Sequence, residues 1–299
     1  MREIWYDIKA QFRKGNTLIK LIYINGGMYI LMLLFQIIYE LITNASPTES
    51  LHIFHSITGL PINNFFEFII KPYTLLSHMF VHYDFWHIIG NMLFLFFLGR
   101  LFLHYFSEKQ LLGLYMLGGL VAGGSLLVIT SLSPMFSSPN YAVGASAAVM
   151  SIVTGICFYI PNTKIRLFGV FPVKLVFIGA FLILQDFLHF DKSNTAGHLA
   201  HLIGAAIGYW HAAAFRQGKD ITQGINKIIN SISNLFTKKA KMKVVYNQEN
   251  VRRMTDEDYN TQQKVTQEEI DQILDKISAS GYSSLTKREK QILNQYSDK

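Results

Sequence analysis

The sequence predicts an all-α membrane protein, a bundle of six transmembrane helices followed by a small helical cytoplasmic tail. Half of the 299 residues are apolar and only 16% are charged, a composition too apolar for an ordinary soluble domain. Apolar runs of roughly 17–25 residues, long enough to cross the hydrocarbon core of a bilayer, recur up to Phe215. Lysine and arginine are concentrated in alternate connections between these runs, as in multispanning membrane proteins.

Six apolar runs are long enough to be spans, and they cover 18–41, 85–103, 110–132, 141–160, 170–188 and 195–215. The first run is long and is followed by no small-residue cleavage site, so we predict a retained helix and not a signal peptide. The single cysteine, Cys157, lies within the fourth run and can form no intrachain disulfide. We interpret it as a small buried apolar residue.

The distribution of basic residues predicts the orientation of the chain. The N-terminal segment 1–17 and the connections after the second and fourth runs are basic, whereas the opposite side has only Lys71 and Lys192. Because basic connections stay in the cytoplasm, we expect both termini to be cytoplasmic and the protein to lie in the cell (inner) membrane. The net charge of +7 reflects this asymmetry, and we predict no nucleic-acid partner.

The connection 42–84 is unusually long and is rich in aromatic residues. We predict an amphipathic structure that lies in the outer membrane interface. Four histidines in this connection lack the spacing of a strong metal-binding motif, so we interpret them as solvated interface residues; they are His52, His55, His78 and His82.

The composition changes after Phe215, at the end of the sixth run. Within 216–264, isoleucines recur at helical spacing and four lysines follow them. We predict a basic amphipathic helix on the anionic inner leaflet and then a polar linker over 244–264.

Residues 265–299 are predicted to form a cytoplasmic helical hairpin. The pairs Thr266/Glu269 and Thr286/Glu289 have capping-box spacing, and Gly281 is placed to end the first helix. The stretch around Thr286 is similar to the start of a DNA-binding helix-turn-helix, but the chain has no room for a recognition helix.

Four polar residues lie near the beginning of three different runs. Ser146 is in the string G-A-S-A, His201 is in A-H-L-I-G-A-A-I-G, and His87 precedes Asn91 by one helical turn. With a cytoplasmic N-terminus, all three runs enter from the outer face, so these residues lie in one layer roughly 6–12 Å deep. Polar groups inside the hydrocarbon are costly and usually mark function.

These residue types together indicate acyl-transfer chemistry. Ser146 needs a base to become a nucleophile, and His201 can accept its proton near neutral pH. Asn91 can donate its amide to the oxyanion, with the Ser146 backbone N–H and His87 as further candidates. We find no carboxylate in the same layer and therefore predict a Ser–His dyad without an orienting acid. Gln185 and Asp186 lie near the outer end of the fifth run, and we interpret them as interfacial anchors in preference to a proton relay.

Small residues repeat every four positions on the fourth and sixth runs, at Ala147, Ser151 and Gly155 and at Gly204 and Gly208. Such faces allow close approach of helices in membranes. We therefore expect these two helices to touch and Ser146 to lie within hydrogen-bonding reach of His201. His198 is interpreted as an interfacial or supporting residue.

Three motifs resemble those of rhomboid-family intramembrane serine proteases, and they occur in the family's order: His87–Asn91 as H-x-x-x-N, Gly144–Ser146 as G-x-S, and Ala200–Gly208 as A-H-x-x-G-x-x-x-G. The resemblance covers roughly 18–215 and includes bacterial members with a small C-terminal extension. It implies a six-helix core in which Ser146 is the nucleophile, His201 is the base, and Asn91 with His87 lines the oxyanion hole. It also implies cleavage of transmembrane or membrane-anchored protein substrates near the outer interface, without a metal or cofactor.

The chain departs from the family pattern at a few positions. The Trp-Arg pair that is frequent in the first outer connection is absent from 42–84, and Ala147 and Met150 replace a common glycine and a tyrosine found in some relatives. The alternative is a non-catalytic rhomboid-like protein that binds transmembrane helices, but the presence of Ser146 and His201 favours the enzyme. A transporter is disfavoured because the sequence has no internal repeat. The sequence indicates no particular oligomeric state.

Overall fold

The computed structural model describes residues 15–133, 140–167, 169–190, 194–236, 256–286, 288–290 and 292–293. The chain forms two compact units, Met1–Lys238 and Lys239–Lys299, which are described separately. Most of the predicted N-terminal segment and the first half of the predicted polar linker lie outside the described residues.

The first unit is helical. Its described helices are α1 (Thr17–Thr43), α2 (Pro47–Thr58), α3 (Phe65–Ile70), α4 (Thr74–Ser77), α5 (Phe85–Phe102), α6 (Glu108–Leu132), α7 (Ser146–Tyr159), α8 (Leu175–Leu188), α9 (Thr195–Arg216) and α10 (Gln223–Phe236). Two short antiparallel pairs accompany them, β1 (Leu60–Pro61) with β2 (Tyr141–Ala142) and β3 (Lys164–Leu167) with β4 (Phe171–Lys174).

Three of these helices, α1, α5 and α6, are long and apolar enough to cross a membrane. The helices α7 and α8 are apolar but have only 14 residues each, about 21 Å at 1.5 Å per residue. Helix α9 has 22 residues and contains three histidines, which lower its hydropathy. Each predicted span overlaps one of these six helices, and the number of spans that cross the bilayer stays a prediction.

Helices α7 and α8 begin five residues later than predicted. Before α7, Tyr141 and Ala142 pair with β1, and Gly144 adopts a φ of +140°, which is outside the helical region. Before α8, the chain forms the β3–β4 hairpin. Ser146 is therefore the first residue of α7 and not an interior residue of a longer helix.

Helix α7 is the centre of the bundle, because every residue from Ala147 to Cys157 is buried. The free thiol of Cys157 is buried, as predicted. Peripheral helices instead carry exposed apolar side chains, such as Leu41 on α1 and Leu132 on α6, each 80% exposed. A buried centre with an apolar outer surface is the arrangement expected of a bundle surrounded by lipid.

The predicted contact between the small-residue faces of α7 and α9 is confirmed. A β-carbon on Gly204 would collide with the Ala147 carbonyl, and one on Gly208 would collide with the Ser151 carbonyl. The hydroxyl of Thr154 donates a hydrogen bond across this contact to the carbonyl oxygen of Ala205, 3.1 Å away. The two helices are therefore in backbone contact, and α9 is fixed relative to the start of α7.

The connection 42–84 has one buried and one exposed apolar side. Leu60 and Met79 are fully buried, whereas Phe66 is 70% exposed and Tyr73 is 52% exposed. Met79 packs on Gly119 of α6, so the connection fills part of the bundle core. The prediction that all its histidines are solvated is wrong, because His55, His78 and His82 are buried.

The second unit begins its helix earlier than predicted. Helix α11 (Asp256–Ser280) starts inside the stretch expected to be a linker, so Thr266 is not its cap. Gly281 follows with a φ of +76° and donates its N–H to the Ile277 carbonyl, as expected of a helix-ending glycine. The Thr286/Glu289 capping box is confirmed, with the Glu289 N–H donating to the Thr286 hydroxyl oxygen at 3.3 Å and the Thr286 N–H donating to the Glu289 carboxylate at 2.6 Å.

Candidate active site

The four predicted site residues converge on two adjoining cavities of about 490 and 300 Å³. Ser146, His87 and His201 line both cavities, and Asn91 lines the smaller one. These residues come from α7, α5 and α9, so the fold brings the three motifs together.

A constrained loop presents Ser146 at the N-terminus of α7. The N–H of Gly144 donates to the His78 carbonyl at 2.9 Å, and the Tyr83 hydroxyl donates to the Tyr141 carbonyl at 2.8 Å. The first N–H groups of a helix have no intrahelical acceptor and carry partial positive charge. Ser146 therefore lies beside free backbone donors, which is where a developing oxyanion is stabilised.

His87 lies close to this loop. A β-carbon added at Gly144 would be 3.0 Å from Cε1 of His87 and 3.3 Å from Oγ of Ser146. The combination of this crowding and the positive φ requires glycine at position 144.

Asn91 is buried one turn after His87 on α5. Its Nδ2 donates to the His87 carbonyl at 3.0 Å. The helix is capped by Asp84, whose Oδ1 accepts a hydrogen bond from the His87 N–H at 2.9 Å. One Nδ2 hydrogen thus fixes the side chain, and the second is available to the cavity.

His201 has a carboxylate partner that the sequence analysis did not predict. Its Nδ1 lies 2.8 Å from Oδ1 of Asp186, and Nδ1 of His198 lies 2.9 Å from the same oxygen. Asp186 is buried near the C-terminal end of α8, so its interpretation as an interfacial anchor is wrong, and so is the expectation that no carboxylate lies in the layer of His201. The sequence signal that could have identified it is a single acidic residue in an otherwise uncharged helix.

No hydrogen bond joins Ser146 to His201 among the residues that the structure describes. The two side chains line the same two cavities. Catalytic hydrogen bonds in unliganded enzymes are often long and shorten only when substrate binds.

One group of titratable side chains in the described ranges has the geometry to hold a metal ion. Asp186, His198 and His201 offer ligand atoms that all lie within 4.8 Å of one another. The distances from Nδ1 of His201 and of His198 to Oδ1 of Asp186, 2.8 and 2.9 Å, are those of direct hydrogen bonds. The three side chains therefore form a hydrogen-bonded cluster.

The buried histidines of the connection 42–84 are held in their neutral form. Burial lowers the pKa of His55 and of His78 to about 4, and that of His82 to about 3. Neither ring nitrogen of His82 has a hydrogen-bond partner within the described part of the chain. Protonating these rings inside the folded protein is therefore unfavourable.

We expect the protein to lose stability as the pH falls from about 6.5 towards 4. The unfolded chain protonates these histidines near pH 6.5, whereas the folded chain resists protonation until about pH 4. Each buried histidine therefore makes its full contribution to the free energy of unfolding above pH 6.5. Below that pH the contribution declines by up to about 1.4 kcal/mol per pH unit. Melting temperatures in detergent between pH 7.5 and 5 test this expectation.

His82→Phe keeps a ring in the pocket and should flatten the pH dependence. His104→Gln, at an exposed histidine, should leave it unchanged. A wild-type melting temperature that does not vary over this pH range would contradict the expectation.

Two parts of the chain match known families. Residues 71–218 match the rhomboid domain, and residues 254–299 match a family of unknown function, DUF6576. The chain is 33% identical over 164 residues to RHOMBOID-like protein 12, mitochondrial, from Arabidopsis thaliana, covering 50% of this chain and 48% of that protein. It is 25% identical over 142 residues to Presenilin-associated rhomboid-like protein A, mitochondrial, from Danio rerio, covering 44% of this chain and 34% of that protein.

The chain thus spans about half or less of the relatives it matches. No solved structure matches it significantly. The apolar helices, with Ser146, His87 and His201 gathered in cavities between them, define a helical membrane protein. Together with the matched domain, they show that the chain belongs to the rhomboid family.

Proposed function

We propose that this protein is an intramembrane serine endopeptidase that cleaves transmembrane or membrane-anchored proteins near the outer membrane interface. One observation carries the proposal: Ser146, His201 and Asn91, from three helices of a rhomboid-family chain, line one cavity. A nucleophile, a base and an amide donor in one cavity are the groups that acyl transfer requires.

In the proposed reaction, Oγ of Ser146 attacks the carbonyl carbon of the scissile peptide bond while its proton moves to Nε2 of His201. The electron pair of the carbonyl double bond moves to oxygen. When the tetrahedral intermediate collapses, the C–N bond breaks, and His201 gives the proton to the leaving amine. Water then attacks the acyl carbonyl carbon while His201 accepts one of its protons, and the bond between that carbon and Oγ breaks as His201 returns the proton to Ser146.

The oxyanion formed in both steps needs donors at the start of α7. We assign this role to the backbone N–H of Ser146 and the free Nδ2 hydrogen of Asn91, with His87 beside them. Each preorganised donor of this kind contributes about 2.7–4 kcal/mol to the transition state in known hydrolases.

We propose that 18–215 form a bundle of six transmembrane helices in the cell (inner) membrane. Both termini lie in the cytoplasm. The basic cytoplasmic connections support this orientation. It places the cavity near the outer face, where a substrate helix emerges from the bilayer.

A fluorophosphonate probe tests the proposal, because it reacts covalently only with an activated serine. We expect the purified protein in detergent to be labelled at Ser146, as located by peptide mass spectrometry, and to cleave a reconstituted transmembrane substrate. Ser151→Ala is the matched control, because Ser151 lies on the same helix but is fully buried and donates to the Ala148 carbonyl.

Labelling should persist in the Ser151→Ala variant and vanish in Ser146→Ala. A folded wild-type protein that binds the transmembrane substrate but is neither labelled nor active would overturn the proposal. That result would favour the alternative, a non-catalytic rhomboid-like protein that binds transmembrane helices.

A further inference from the structure

The single acidic side chain of α8 points inward although its neighbours point outward. Asp186 is 6% exposed, whereas Phe187 and Leu188 are 69% and 70% exposed. Burying an ionised carboxylate is costly unless the charge is paired and hydrogen-bonded. The groups that pair with this carboxylate are His198 and His201. The function of the buried charge therefore lies in its interaction with these two rings.

The geometry of this cluster fixes the tautomer of His201. An ionised carboxylate accepts hydrogen bonds and donates none. Because Nδ1 of His201 lies 2.8 Å from Oδ1 of Asp186, the ring proton must be on Nδ1. In the neutral ring, Nε2 then carries the lone pair and is the atom available to act as a base.

We propose that Asp186 is a positioning residue for His201 and turns the Ser146–His201 pair into a Ser–His–Asp arrangement built on α7, α9 and α8. This inference rests on the proposed function. Asp186 holds the ring orientation and tautomer, and its charge stabilises the imidazolium that forms when Nε2 accepts the serine proton. The carboxylate itself takes up no proton and does not touch the substrate.

His198 has a supporting role in this arrangement. It precedes His201 by about one turn on α9 and donates to the same carboxylate oxygen. This second hydrogen bond holds Asp186 against α9 and supplies part of the pairing that a buried carboxylate needs. Its removal leaves the bond between Asp186 and His201 in place, so the effect on turnover should be smaller than that of changing Asp186.

The main test replaces Asp186 with asparagine, which keeps the shape and removes the charge. We expect kcat on a reconstituted transmembrane substrate to fall by about 10²- to 10⁴-fold, the upper figure being the loss known for this exchange in a soluble serine protease. KM should change little, and the rate of fluorophosphonate labelling should fall in parallel with kcat. Asp186→Glu should restore part of the loss, because it returns a carboxylate.

Asp220→Asn is the matched control. Asp220 is also hydrogen-bonded, to Thr222 and Gln110, but it lines neither cavity. This variant should lose stability and keep the wild-type kcat. Wild-type kcat in a folded Asp186→Asn protein would overturn the positioning role and leave the proposed function standing.

The tautomer of His201 provides a readout that needs no activity. In protein labelled with ¹⁵N-histidine, NMR should show wild-type His201 protonated at Nδ1, with the signal assigned through His201→Gln. In Asp186→Ala this preference should disappear. An Nε2-protonated His201 in the wild type would overturn the inference even if the protein cleaves substrate, whereas the predicted tautomer in an inactive protein would count only against the proposed function.

Discussion

Replacing Ser146 with alanine is expected to lower the turnover of a transmembrane substrate by about 10⁶-fold, the loss known for removal of the catalytic serine or histidine from a soluble protease. The variant keeps the oxyanion donors and the substrate cavity, but no oxygen remains to attack the peptide bond. His201→Ala should cause a loss of similar size, since a serine hydroxyl is a weak nucleophile without a base.

The Ser146→Ala/His201→Ala double variant tests more sharply whether the two residues act together. If Ser146 and His201 act in one step, removing both should cost no more than removing either alone. Single-turnover kinetics in proteoliposomes, normalised to folded protein, measures all three variants. Retention of a tenth of the wild-type rate by either single variant, or losses that multiply in the double variant, would remove the pair from the chemistry.

Local signals in the sequence predicted much of the fold. The apolar run predicted over 110–132 forms helix α6, which begins two residues earlier, where Ser107 and Gln110 form a capping box. The contact between α7 and α9 followed from small residues four positions apart. The H-x-x-x-N, G-x-S and A-H-x-x-G-x-x-x-G motifs identified four residues that line the cavities. Each motif could be recognised locally because its residues have a fixed spacing within one segment of the chain.

The errors have non-local causes. The chain before Ser146 is not helical because Ala142 pairs with Leu60, which is far away in sequence, and apolar periodicity gives no sign of such pairing. The contact between Asp186 and His201 depends on how α8 packs against α9. The buried histidines of 42–84 result from the way this connection enters the bundle.

The error in the second unit has a local cause. The spacing of Thr266 and Glu269 is that of a capping box, but no glycine or proline between Asp256 and Thr266 ends the helix that is already present. A capping pattern inside a continuous helix therefore does not mark its start.

Gly208 and Gly124 should respond in opposite directions to the same substitution. Both are helical glycines, but a β-carbon on Gly208 would collide with the Ser151 carbonyl and the Thr154 hydroxyl, whereas one on Gly124 would have nothing within 4 Å. The carbonyl belongs to the backbone of α7 and cannot rotate away, so α9 must move outward. We expect Gly208→Ala to cost about 1–3 kcal/mol or more, as overpacked cores do.

Gly124→Ala should instead be neutral or stabilising by up to about 1 kcal/mol, since alanine is the better helix former. Reversible unfolding in mixed micelles gives both free energies. His201 lies two turns before Gly208 on the same helix, so an outward shift of α9 also moves the candidate base away from Ser146. Turnover per folded molecule should therefore fall in Gly208→Ala and stay at the wild-type level in Gly124→Ala. Equal stability of the two variants would mean that the close contact between α7 and α9 does not support the site.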